Sequence, residues 1–280
     1  FRRDTDFVIE NLTGLYQINY SVDAGSFGSI NEPEYLQQLE AWANWWRAQP
    51  SVMHVSTLSD TLKKLNKNMH GDDPAEYRLP NNRELAAQYL LLYEMSLPYG
   101  LDLNNQVNVD KTATRLVVTL DTMSVTDTLA LAERGETWLS NNQPDVRANH
   151  ATGMVMMFSH LTLKNTASML FGTGVAIVLI GGILMVALRK VNLGLLSLVP
   201  NLAPIAAGFG IWGILNGNVG LALSIVGSMT LGIVVDNTVH FMSKYLRARR
   251  ERNLSTEDAV RYAITTVGRA LAVTAMVLVT

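Results

Sequence analysis

The sequence predicts an α+β domain built of β-α-β units, followed by an all-α bundle of membrane-spanning helices. Three observations predict it. Charge divides near residue 160: residues 1–160 carry 12 Lys and Arg against 20 Asp and Glu, a net of −8, whereas residues 161–280 carry 10 against 4, a net of +6. The second half holds three apolar segments, at 167–188, 193–215 and 219–243, each near the ~20 residues that cross a bilayer as a helix. Between Ala167 and Ser243 the formal charges are Arg189, Lys190 and Asp236 alone, and only Asp236 falls inside an apolar segment.

The first half is long enough for a core of its own, at roughly 100–200 residues per domain. Phe7, Ile9, Leu15, Tyr16, Ile18, Tyr20 and Val22 alternate loosely, which predicts a strand pair or one long strand over 5–25. A glycine-containing loop at 25–29 follows, and Asn31 and Pro33 mark a helix start. That helix carries Leu36, Leu39, Trp42, Ala43 and Trp46 at helical spacing, so Trp42, Trp45 and Trp46 are read as an apolar face against a sheet rather than a ligand platform. Pro50 stops it, and Val52–Val55 is a short strand that completes a β-α-β unit. A further helix is expected over Thr57–Asn68.

Turn clusters at 71–74 and 79–82 precede a helix over Arg83–Met95, which Pro98-Tyr-Gly100 ends. Arg115–Leu120 reads as a strand, Thr126–Asn141 as a helix, and Val146–Met157 as a strand leading into the membrane half. This order predicts two small α+β units of ferredoxin-like kind within a domain spanning 1–160. The half shows no phosphate loop, nucleophile elbow or metal-ligand cluster, and His54, His70 and His150 are scattered. The chain has no cysteine, hence no disulfide framework and no thiolate metal site.

In the second half, 161–280, a fourth apolar run begins near Val267 and is truncated at 280. The chain opens on Phe1 rather than Met, and both ends read as cuts in a longer protein. Arg189 and Lys190 join the first two spans, Asn216-Gly-Asn218 joins the next two without charge, and Lys244, Arg247, Arg249, Arg250 and Arg252 follow the third. The positive-inside rule then places 189–192 and 244–266 in the cytoplasm, 216–218 outside, and residues 1–160 outside as well. Ser255-Thr-Glu-Asp258 is a capping box opening an amphipathic helix over about 255–266 on the inner membrane face. The basic run at 244–252 reads as a topology anchor before it reads as a site for anionic lipid. Pro200 and Pro204 predict a kink in the second span. Gly227, Ser228 and Gly232, ahead of Asp236, are read as small residues that let helices approach closely.

Asp236 carries the functional signal. An ionised carboxylate costs several kcal/mol in hydrocarbon, so an acid kept there is by default a functional candidate for ion or proton movement. It lies eight residues before Lys244, about 12 Å along a helix at 1.5 Å per residue. That depth is out of reach of water for a short side chain, so it must face protein or a wet cavity. Burial away from water disfavours the ionised form and a nearby cation favours it, and an acid held between the two can load and release protons. Asn237 is adjacent and His240 lies one turn on, where it can relay protons or hydrogen-bond Asp236.

The stretch Gly232-Ile-Val-Val-Asp-Asn-Thr-Val-His-Phe-Met-Ser-Lys-Tyr-Leu246, with Val199-Pro-Asn-Leu-Ala-Pro-Ile205 before it, resembles the resistance–nodulation–division (RND) superfamily in its MMPL-type predicted-exporter branch. Asn31-Glu-Pro-Glu-Tyr-Leu36 and Val52-Met-His-Val-Ser-Thr-Leu-Ser-Asp60 are similar to that branch's periplasmic domain. The resemblance implies twelve spans in two repeats, of which this chain is most of the second, with Asp236 as the coupling aspartate of span ten. Many relatives carry a tyrosine or a second acid next, where this chain has Asn237. The implied function is proton-driven export of hydrophobic or lipid-like substrates across a bacterial inner membrane, by a transporter rather than an enzyme. The alternative is a sterol-sensing-type lipid receptor or a secretion accessory. Implied partners are membrane lipids, a hydrophobic or lipid substrate, the first repeat of the same protein and further copies of it in a homo-oligomer, with no nucleic acid and no cofactor. An intramembrane aspartyl protease needs two carboxylates, and the spans supply one.

Overall fold

The computed structural model describes residues 2–11, 13–98, 103–188, 191–216 and 221–279. They fall into two compact units, Phe1–Leu161 and Thr162–Thr280. The expected helix stop at Tyr99-Gly100, the basic pair Arg189 and Lys190, and Gly217-Asn218 of the uncharged connection lie outside the described residues.

The first unit runs α1 (Arg2–Asn11), β1 (Tyr16–Asp23), α2 (Pro33–Arg47), β2 (Val52–Ser56), α3 (Leu58–Met69), α4 (Arg83–Ser96), β3 (Ala113–Leu120), α5 (Val125–Asn142) and β4 (Arg147–Ala148). Among the described residues the strands form one antiparallel sheet in the order β2-β3-β1-β4. The two β-α-β segments therefore interleave instead of standing as two separate units. The register shows why. Ile18, Tyr20 and Val22 of β1 lie opposite Val118, Leu116 and Thr114 of β3, and all six are buried. Period-two alternation puts these residues on one face, and a two-stranded sheet alone is at best marginally stable. Pairing β1 with β3 gives both segments one shared apolar surface.

Two expectations for this unit change. Residues 2–11 are helical, not a strand, and β1 pairs instead with β3 on one edge and, at its end, with β4 on the other. On that second edge β4 and Thr152 pair with Asn19, Val22 and Asp23 of β1. The last strand shrinks to Arg147–Ala148, with an isolated bridge from Thr152 to Asn19, and Met154–Met157 already belong to a helix. At the start of α2, Pro33 takes a first-turn position, as its fixed φ favours, while Asn31 lies in a short 3-10 turn and donates to the Gly28 carbonyl.

The tryptophans sit at the centre of the core. Trp42 and Trp46 are fully buried, and both rings meet Tyr20, at centroid distances of 4.8 and 5.7 Å. Trp45 stacks on Trp138 of α5 at 6.0 Å. Trp42 Nε1 donates to the Gly135 carbonyl at 3.0 Å, so its polar edge is satisfied inside the core. A Cβ at Gly135 would overlap the Trp46 ring, which explains a glycine in mid-helix despite its cost of roughly 1 kcal/mol against alanine.

Side-chain caps fix the other helices. Thr57 and Asp60 form a reciprocal capping box on α3, Asn82 accepts from the Leu85 N–H of α4, and Ser124 accepts from the Asp127 N–H of α5. Tyr89 of α4 donates to Asn66 of α3. Glu40 of α2 joins that helix to α3, accepting from Lys63 at 2.6 Å and from Ser59. Arg47 of α2 reaches both oxygens of Asp60 at 2.8 and 2.7 Å.

The second unit continues α6 (Met154–Leu188) and adds α7 (Val191–Asn216), α8 (Leu221–Glu251) and α9 (Thr256–Val279). Three of these, over Met154–Val186, Gly194–Leu215 and Ala222–Glu251, are long and apolar enough to cross a membrane. Their large apolar side chains point outward: Phe171, Val178, Ile183 and Ile214 are each at least two-thirds exposed. A water-soluble bundle would turn these inward, whereas lipid or further helices would cover them. The basic run continues α8 as helix to Glu251. The amphipathic helix and the fourth apolar run, expected as two pieces, form the single helix α9. Ser255 caps it, accepting from the Asp258 N–H and donating to the Asp258 carboxylate.

Two outcomes follow. Gly135→Val forces the Trp46 ring to move and is expected to destabilise the first unit by about 1–3 kcal/mol, read as a lowered thermal midpoint by near-ultraviolet circular dichroism. Burial pushes the Glu40 carboxyl up, but hydrogen bonds from Lys63 and Ser59 and the charges of Lys63 and Arg47 outweigh it and hold the group below the usual glutamate range. A depressed folded-state value stabilises the fold above the unfolded value and loses that contribution as pH falls through the folded one. Melting curves taken at successively lower pH should therefore fall less steeply through the carboxylate range for Glu40→Gln than for the wild type, from a lower starting point.

Candidate functional site

The second span sets the first constraint. α7 runs helical through both Pro200 and Pro204. Each proline lacks an N–H, so carbonyls one turn earlier lose their intrahelical donor. Asn201, between the two, is 1 % exposed. Its Oδ1 accepts from Thr238 Oγ1 of α8 at 2.7 Å. The Thr238 hydroxyl has one proton, so at any instant it serves Asn201 or the Val234 carbonyl at 2.9 Å. Asn201 Nδ2 is buried with no partner among the described residues.

Asp236 stands on a different face of α8. At about 100° per residue, two positions separate Asp236 from Thr238 by about 200° around the helix. Thr238 turns inward to α7, and Asp236 turns outward with its side chain 71 % exposed. His240 shares the outward face one turn on, its Nε2 3.5 Å from Asp236 Oδ1. Asn237 is half-buried. The structure thus brings Asp236 and His240 into an i,i+4 pair, and sets Asn237 beside them rather than in the pair.

The three small residues separate. A Cβ at Gly227 would lie 2.8 Å from Phe209 Cε2 of α7, so the missing side chain sets that close approach. Ser228 Oγ lies 3.0 Å from Thr173 Oγ1 of α6 and donates to the Ser224 carbonyl. At Gly232 nothing among the described residues comes within 4 Å of an added Cβ, so it makes no close approach within this unit.

Asn201, Thr238 and Thr173 were not singled out from the sequence. The signal that finds them is polarity: in hydrocarbon a hydroxyl or amide needs a partner on a neighbouring helix, and each of these residues lies in an apolar run. Among the described residues no group of His, Asp and Glu could hold a metal ion.

A protein-family model described as the MMPL family matches residues 100–280, well over half of the chain. No curated protein matches it.

The Asn201–Thr238 bond is a direct packing test. Thr238→Val strands a buried amide and is expected to cost about 1 kcal/mol. The double variant Asn201→Leu/Thr238→Val, with both partners apolar, should recover part of that loss in a detergent-unfolding titration followed by tryptophan fluorescence.

Proposed function

The chain belongs to the MMPL family, and we propose that it forms the second-repeat part of a proton-driven exporter of hydrophobic or lipid-like substrates. The observation that carries this reading is the Asp236–His240 pair on α8, a carboxylate and an imidazole 3.5 Å apart on one face of a membrane-capable helix. An intramembrane acid marks ion or proton movement, and imidazole is the side chain suited to passing a proton at physiological pH. In this reading Asp236 takes up a proton, His240 relays it, and Asn237 is a neutral neighbour.

The outward face of the pair supports a role in which another element covers it. The first repeat implied by the family resemblance is the candidate cover. Neutralising Asp236 removes the penalty for holding a charge in a dry contact, so protonation biases helix packing. Gly227, Ser228 and Thr173 hold α8 close to α7 and α6, and a change at α8 would be felt by both. The first unit is then the extracytoplasmic domain that responds. Its strand order and uniformly antiparallel pairing support the ferredoxin-like reading. In this reading the spans lie in the inner membrane, with 189–192 and 244–266 on the cytoplasmic side.

The test compares the full-length protein and its Asp236→Asn variant in proteoliposomes under an imposed proton gradient. Wild type should show gradient-dependent lumenal pH change and lipid or dye efflux, and Asp236→Asn should lose both by at least the tenfold that about 1.4 kcal/mol of lost coupling gives. Equal flux in both proteins would remove Asp236 from the coupling path. Saturable lipid binding with no gradient dependence in either protein would favour the receptor reading.

A further inference from the structure

The face of α8 that carries Asp236 changes character at Asp236 itself. Toward the basic end of the helix, His240, Ser243 and Arg247 fall within about 60° of Asp236, at about 100° per residue. Toward the other end, Gly232, Ile233, Met229 and Ile225 fall within the same arc, and all are apolar. Ile225, Met229 and Ile233 present their side chains outward, as Asp236 does. A carboxylate on this face therefore has polar neighbours in one direction only.

A cavity of about 430 Å³ opens on the polar side. Leu184 lines it from α6, and Val239, Ser243, Leu246 and the Arg247–Glu251 pair line it from α8. Val239 brings the cavity within three residues of Asp236, about 4.5 Å along the helix axis. The Arg247 and Glu251 side chains are 59 and 61 % exposed, and an ion pair so open keeps its water. With a hydroxyl and an ion pair in its wall, a volume of this size is polar and roomy enough for several waters at about 30 Å³ each. His240 stands between the cavity and Asp236. Its Nε2 is 3.5 Å from Asp236 Oδ1, and Ser243 follows it three residues on, a spacing at which helix side chains are neighbours.

We propose that this cavity is a water-filled mouth through which protons leave Asp236, by way of His240 and Ser243, and that α8 offers Asp236 no such path toward its other end. The route rests on the reading of Asp236 as a proton carrier. Protonated Asp236 gives its proton to His240 Nε2, leaving a carboxylate and an imidazolium. The imidazolium returns to neutral by giving a proton to water beside Ser243, and the hydronium so formed leaves past Arg247 and Glu251. The carboxylate is then reloaded from a different element, since the apolar arc holds neither donor nor acceptor. One-sided access is what gradient-driven transport requires, because an acid open to both sides at once would let protons leak without work. In this reading the basic end is the cytoplasmic end, so protons run inward.

The chain has no cysteine, so single-cysteine variants of the full-length protein each add one thiol, with wild-type labelling as the background. The probe is a membrane-impermeant, quaternary-ammonium methanethiosulfonate applied from the basic end in inside-out vesicles. It reacts with thiolates, which form where water reaches. Val239→Cys and Ser243→Cys should label at least about tenfold faster than Ile225→Cys and Met229→Cys, a difference of about 1.4 kcal/mol. In proteoliposomes under a proton gradient, Ser243→Thr keeps the hydroxyl and should retain flux, whereas Ser243→Val, of nearly the same shape as threonine, should lower it severalfold. Labelling at positions 239 and 243 as slow as at 225 and 229 would show a dry cavity and overturn the route, and equal fast labelling at all four would overturn its one-sidedness. Wild-type flux in Ser243→Val would overturn the passage through Ser243. Full flux in Asp236→Asn would sink the coupling reading and the route with it, whereas lost flux in Asp236→Asn beside slow labelling at 239 and 243 would sink the route alone.

Discussion

The second unit is governed by one constraint: a polar group in hydrocarbon has no water to turn to. Helix formation answers it for the backbone. Side chains must find partners across helices, and the described contacts do that at two levels. Thr173 of α6 meets Ser228 of α8, and Asn201 of α7 meets Thr238 of α8. α8 is thus the helix on which both neighbours place their polar groups. The prolines of α7 sharpen the point, since Asn201 stands in the stretch where carbonyls lose donors.

The first unit obeys the opposite rule. Burial of apolar area drives its assembly. A single sheet with Ile18, Tyr20 and Val22 facing Val118, Leu116 and Thr114 supplies one face of the core, and the α2 tryptophans fill it. Several polar atoms there are tied down locally, by caps, by the Trp42–Gly135 bond and by the Glu40–Lys63 and Arg47–Asp60 contacts between α2 and α3, while the Tyr20 hydroxyl and Trp46 Nε1 are buried without a hydrogen-bond partner among the described residues. One chain therefore carries two packing regimes that change over near residue 161.

Element type was legible in the sequence wherever the period was long and the ends were marked. α2, α3, α4 and α5 match their expected spans within two residues, and the structure adds that Asn82 and Ser124 cap the last two. What failed was non-local. Nothing in Phe7 and Ile9 reveals that β1 takes its partners from β3 and β4, and nothing in the run 147–152 reveals how few residues reach the β4-side edge. The membrane spans were legible from length and apolarity, but their ends were not. α8 runs past the expected boundary because Lys and Arg are good helix formers in water as well as at its edge. Asp236 was legible as a charge out of place, and its pairing with His240 follows from helical spacing. The Asn201–Thr238 contact was not, because which faces of two apolar helices meet depends on packing that apolar residues all round do not mark.

The placement of Thr238 and Asp236 about 200° apart on one helix has a mechanical consequence. Any roll of α8 that swings Asp236 toward α7 pulls Thr238 off Asn201 and strands a second buried polar atom beside the unpartnered Asn201 Nδ2. The Gly227–Phe209 contact leaves the same roll no room for a ring to pass. The helix is keyed like a shaft in a slot. A slide along the axis breaks the same two contacts, so Asn201 and Phe209 pin α8 to α7 against roll and slide alike.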